Sequence, residues 1–123
     1  MTFSTKAVIE EILGDLKKVG GITASAVVTR DGLLVAADVI GEVDAETFAA
    51  MTATMTGAAE TAMSEIQAGS LDRVIVESET AKIISVGAGP KALLVVLAVS
   101  DTPLGLVLLK IGDATHKISK ILE

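Results

Sequence analysis

The chain has 123 residues, half of them hydrophobic, with 16 acidic and 10 basic side chains and a net charge of −6. That length and apolar content exclude a disordered chain and predict one domain spanning residues 1–123. Two Phe, one His and no Tyr, Trp or Cys exclude disulfide frameworks, thiolate metal sites and cysteine nucleophiles, and with the acidic balance they argue against nucleic acid as a partner.

Val8, Ile12, Leu16 and Val19 recur at helical spacing, with Ile9 and Leu13 widening the stripe. Ser4 or Thr5 suits the cap of this first helix, and Gly20-Gly21 ends it. Ile22 to Arg30 and Leu33 to Ala37 are strand-like runs around Asp31-Gly32, a hairpin signal. Asp44 is a good N-cap for a second helix from Ala45 to about Ala68, with Glu46 near its positive end and Gly69 as its stop. On a helical wheel Phe48, Met55, Ala59, Ala62 and Ile66 cluster as its buried side, flanked by Met51 and Met63. The opposite side holds Ala50, Ala53, Thr54, Gly57, Thr61 and Ser64, where a solvated helix would carry Lys and Glu.

Three strands follow, Arg73 to Ser78, Ala81 to Val86 and Ala92 to Val99. The last does not alternate and reads as buried on both faces. Thr102 is expected to cap a final helix that Pro103 starts, with Leu104, Val107, Leu108, Ile111, Thr115, Ile118 and Leu122 as its stripe. The order α-β-β-α-β-β-β-α with short connections predicts an α+β domain, a five-stranded antiparallel sheet between helices. One helix about 10 Å wide cannot cover a face of five strands spaced about 4.8 Å apart, so either apolar sheet surface stays exposed or a second molecule covers it, and self-association is the favoured reading.

The charge is unevenly placed. Residues 31–72 contain no Lys or Arg but eight acids, among them Glu46, Glu60 and Glu65, and so carry more than the whole net charge. The longest apolar run, Ala92 to Val99, is far shorter than the roughly 20 residues of a membrane span. Glu10 and Glu11 interrupt the first apolar stretch, unlike a signal peptide. A cytoplasmic protein without membrane insertion is expected.

Gly87, Gly89 and Ala92 match the spacing of a dinucleotide fingerprint, but that chemistry needs a helix to follow, and a strand is predicted here. The sequence has neither the phosphate-loop pattern nor a nucleophile elbow. His116 lies outside the last helix's apolar stripe, and the carboxylate pairs Glu10-Glu11, Glu60 with Glu65 and Glu77 with Glu79 read as solvated surface. No catalytic, cofactor-binding or metal-binding residue is therefore assigned, and no enzyme is expected. The small-residue side of the second helix reads as a contact surface, because Ala50, Gly57 and Ser64 recur every seven residues and Ala53, Gly57 and Thr61 every four.

Glu10-Glu11-Ile12-Leu13, Gly20-Gly21-Ile22 and Val27-Val28-Thr29-Arg30-Asp31-Gly32-Leu33-Leu34-Val35-Ala36 resemble the opening of a Roadblock (dynein light chain) domain. Leu71-Asp72-Arg73-Val74-Ile75-Val76-Glu77 is similar to that family's third strand, and Thr102-Pro103-Leu104-Gly105-Leu106 to the start of its last helix. The resemblance implies a non-enzymatic homodimer in which second helices and third strands meet and join two sheets into one platform. It also implies a Ras-like small GTPase as partner, to be regulated or scaffolded, and no cofactor. Carried over by position, the implied dimer contacts are Ala50, Ala53, Gly57, Thr61 and Ser64 in the second helix, and Arg73, Ile75 and Glu77 in the third strand. A small-molecule-sensing domain of profilin-like or PAS-like type is the alternative.

Overall fold

Ser4 caps the first helix by accepting a hydrogen bond from the Ala7 N–H at 3.1 Å. In the computed structural model, which describes residues 4–39 and 41–122, α1 spans Thr5–Lys17 and β1 Ile22–Thr29. β2 spans Leu34–Val39, α2 Ala45–Glu65, β3 Arg73–Glu77, β4 Ala81–Gly87, β5 Ala92–Val99 and α3 Leu104–Ile121. The element order is the expected one. α2 ends three residues early, at a turn where Gln67 has φ 55 and Gly69 φ 88.

The strands form one antiparallel sheet in the order β2-β1-β5-β4-β3. β5 is central, which explains its unbroken apolar run: Leu94, Val96 and Ala98 point to one face, and Leu93 and Val95 to the other. β3 is an edge strand, hydrogen-bonded to β4 alone, and β2 forms the other edge.

α1 and α3 pack side by side on one face. Ile9, Leu13, Leu16, Val107, Ile111 and Ile118 meet Val27, Ile84, Leu94 and Val96 there. The residues expected only to widen the α1 stripe, Ile9 and Leu13, are fully buried, while Val8 and Ile12 are half-buried. α2 lies on the other face over β1 and β2, in a smaller cluster of Val28, Ala49, Ala53, Leu93 and Val95. No helix among the described residues is long and apolar enough to cross a membrane.

Thr102 does not cap α3. Pro103 occupies the cap position without a side-chain hydrogen bond, and the buried Thr102 hydroxyl has no hydrogen-bond partner among the described residues. Thr102 instead packs against Gly21, whose φ of +97 and missing side chain let the α1–β1 turn close onto it. Gly21→Ala forces both a left-handed alanine and a clash with Thr102, and lowers stability by roughly 2 kcal/mol or more in urea unfolding.

Asp44 caps α2, accepting from the backbone N–H groups of Glu46 and Thr47 at 3.1 and 3.2 Å. The Thr47 N–H, foremost, holds its carboxyl below the usual aspartate value of 3.8. A folded-state pKa below the unfolded one means that the cap's contribution is complete above the unfolded value. It is lost as pH falls through the folded value. Carboxyl NMR titration is expected to place Asp44 below 3.8, and a value at or above it contradicts this geometry.

Candidate partner interface

The position of α2 follows from the size of what faces the sheet. Its buried residues are Ala49, Thr52, Ala53 and Thr56. Their small side chains bring the helix close, and Gly32 in the β1–β2 turn comes against Ala50, within 3.5 Å of its Cα from an ideal Cβ position. The threonines tolerate burial because their hydroxyls donate back along the helix, Thr52 to Phe48 O and Thr56 to Thr52 O, both at 2.8 Å. Thr56 Oγ1 also meets Ser85 Oγ of β4 at 2.7 Å, a buried hydroxyl pair that pins the middle of α2 to the sheet.

The buried stripe of the helix therefore lies between the two sides that the wheel separates, with Thr54, Gly57, Thr61 and Ser64 of the small-residue side exposed. Of the side expected to be buried, Phe48 alone joins the core cluster, half-buried; Ile66 is 70% exposed and Ala62 is exposed. The flanking Met51 is 62% exposed and Met63 38%. Hydrophobicity favoured the methionines as the inward side, but the fully buried positions of the helix are held by alanine and threonine alone.

The residues carried over as dimer contacts divide accordingly. Ala53 is buried against its own sheet, so its side chain is not offered to a partner. Ala50 is half-buried beneath the β1–β2 turn. Gly57, Thr61 and Ser64 are exposed on the second half of α2, where no residue after Thr56 is buried. On β3, Arg73 and Glu77 are exposed, and Glu77 lies 4.0 Å from Lys82. Ile75 pairs with Ile84 and packs into the α1–α3 core. The β3 side chains on the α2 face are therefore Val74 and Val76, opposite Ser85 and Ile83. The period-two alternation of Arg73–Glu77 already marks those two as the other face.

What α2 leaves uncovered is apolar. Val76, Ile83 and Leu97 form a row across β3, β4 and β5 on the α2 face. Val76 is 41% exposed and Val99, further along β5, 39%. They belong to an apolar surface that adjoins the open edge of β3. Such an edge, with unpaired backbone N–H and C=O groups, is a template for another strand.

The acidic segment is partly neutralised within the chain. Lys17 Nζ reaches Asp38 at 3.0 Å, and Arg30 Nη1 reaches Glu60 at 3.1 Å. Glu46 and Glu65 remain exposed without an ion-pair partner among the described residues, whereas Glu60 is engaged. The Gly87–Ala92 segment connects two strands, so no helix opens there to receive a pyrophosphate. His116 is exposed, and among the described residues no three His, Asp or Glu side chains gather as a metal site. An open groove of about 360 Å³ separates α1 from α3, with Ile12, Leu16 and Val19 in its floor and Lys18, Lys110 and Asp113 among its rim.

The family of the Roadblock/LC7 domain matches residues 8–98. The chain belongs to that family. A relative, the uncharacterized protein MJ1340 of Methanocaldococcus jannaschii, is 40% identical over 110 residues, covering 89% of this chain and 96% of that one. Among solved structures, MglB of Myxococcus xanthus matches this Roadblock chain with a TM-score of 0.89 at 23% identity, over 99% of this chain and 92% of its own. Gliding protein MglB of Thermus thermophilus matches with a TM-score of 0.88 at 19% identity, over 98% and 93%. At these identities the two structures establish the fold.

Within this Roadblock chain, the Thr56–Ser85 pair tests how α2 is held. Thr56→Val preserves shape but strands the buried Ser85 hydroxyl, and is expected to cost about 1–3 kcal/mol in urea unfolding. The Thr56→Val, Ser85→Ala double variant recovers part of that loss, because neither hydroxyl is then left alone.

Proposed function

We propose that this Roadblock chain is a non-enzymatic homodimeric platform that binds and regulates, or scaffolds, a Ras-like small GTPase. The observation that carries the reading is the uncovered apolar surface beside the free β3 edge. A second copy related by a twofold axis brings the same surface and edge, and two β3 edges pairing antiparallel join both sheets into one. In that arrangement Arg73, Ile75 and Glu77 contribute through the backbone edge. Val76, Met51 and the exposed Gly57, Thr61 and Ser64 contribute side-chain surface. The resemblance of the Arg30-Asp31-Gly32 and Leu71–Glu77 segments to Roadblock domains supports the partner class. The acids Glu46 and Glu65 add a negative field suited to a partner with basic residues, strongest at low salt.

Size-exclusion chromatography with light scattering is expected to give twice the chain mass for the wild type. Val76→Asp and Gly57→Arg are expected to shift it to the monomer. Nothing lies within 4 Å of an ideal Cβ at Gly57, so that substitution spares the protomer's own packing. A wild type that stays monomeric at micromolar concentration overturns the dimer. For the partner, purified Ras-like GTPases from the same cell, loaded with GTP or GDP, are titrated against the chain. Absence of binding to all of them in both states overturns the GTPase assignment.

A further inference from the structure

The second half of α2, from Gly57 to Glu65, carries Gly57, Thr61, Ser64 and Met63 but has no buried residue. A polar hollow of about 670 Å³ opens beside it, lined by Ser64, Gln67 and Leu71 together with Arg30, Glu60 and Pro90. Among the described residues, one hydrogen-bonded ion pair ties the side chains of this half to the rest of the chain. Arg30 Nη1 donates to Glu60 Oε2 at 3.1 Å. The other arm of the same guanidinium, Nη2, donates to Gly89 O at 3.0 Å in the β4–β5 connection. The Arg30 backbone N–H donates to Lys91 O in that connection at 3.3 Å. The guanidinium passes Gly87 so closely that an ideal Cβ there would lie 2.9 Å from Nη2.

We propose that Arg30 is a positioning residue: clamped at one end to the β4–β5 connection, it grips Glu60 and sets the direction of the free half of α2, and with it the geometry of the partner surface. The inference rests on the reading of that surface as an interface. A planar fork with two separately directed N–H donors spans two acceptors in a way that a lysine ammonium on a flexible stem does not. Glu60 is consequently a structural acid, and the charge offered to a partner resides on its neighbours. The Arg-Asp-Gly turn has a role beyond reversing the chain, because its first residue holds the helix while its glycine supplies the φ of +97 that the turn needs.

Amide hydrogen exchange of residues 57–65 tests the grip in Arg30→Ala, Glu60→Ala and the double variant. Each single change is expected to raise exchange in that segment about 3-fold, the scale of a partly exposed ion pair. The double variant rises by the same factor and not by its square, because both changes remove one link. Arg30→Lys is expected to fall between wild type and Arg30→Ala. Sedimentation of the same variants is expected to show dimerisation weakened by a similar factor. Unchanged exchange in Arg30→Ala, or independent, multiplying effects in the double variant, overturns the grip. Faster exchange with an unchanged dimer constant overturns its consequence for the interface. A monomeric wild type would overturn the interface reading itself, and the exchange data would still decide whether Arg30 holds the helix.

Discussion

Where α2 is fully buried on its own sheet it carries only small side chains, and much of the molecule follows from that limit. Ala49, Thr52, Ala53 and Thr56 form the whole buried stripe of a 21-residue helix. A close approach lets two threonines be buried with their hydroxyls bonded to helix carbonyls and to Ser85. It also turns Met51, Met63 and Ile66 outward, because no space exists for them underneath. The outward apolar surface is thus a consequence of how the inward one packs.

The two faces of the sheet do different work for that reason. Beneath α1 and α3, Ile9, Leu13, Ile111 and Ile118 are fully or almost fully buried, and large aliphatic side chains contribute about 1.5–3 kcal/mol each when removed from water. That face accounts for most of the large buried residues and carries the stability of the fold. The α2 face has a thin core of alanines and valines, with β3 and part of β4 and β5 beyond the reach of the helix. A sheet with one heavily packed face and one partly open face keeps its register whether or not the open face is later covered. Electrostatics reinforce the division: Lys17 holds Asp38 on the β2 edge, Arg30 holds Glu60, and Glu46 and Glu65 remain exposed.

Much of this was legible in the chain. Strand and helix order followed from period and punctuation, with Ser4, Asp44, Asp31-Gly32 and Gly20-Gly21 marking starts, turns and stops where the structure has them. The central position of β5 was visible in its lack of alternation, and the incomplete cover of the sheet in simple widths. Which side chains α2 and β3 leave exposed was legible only in part. Small residues at helical spacing marked α2 as unusual, but a wheel orders residues by angle and hydrophobicity and carries no information on the distance to the sheet. Ala53 was therefore placed outside and the methionines inside. On β3, Ile75 was chosen as a contact although its pairing partner Ile84 lies in the α1–α3 core, since the facing of an edge strand depends on its register with β4.

By itself, the sequence determined the elements, their order, the α+β class, the absence of cysteine chemistry and the concentration of acids between Asp31 and Asp72. Those properties arise from local periodicity, turn chemistry and composition, which act over a few residues or over none at all. Only the tertiary structure decided which side of α2 meets the sheet, that Val74 and Val76 share its face, that Thr102 packs on Gly21 and does not cap a helix, and that Arg30 reaches Glu60 and Gly89 together. Each of these depends on the separation and register of segments distant in the chain, where steric fit outweighs the hydrophobicity of any single side chain.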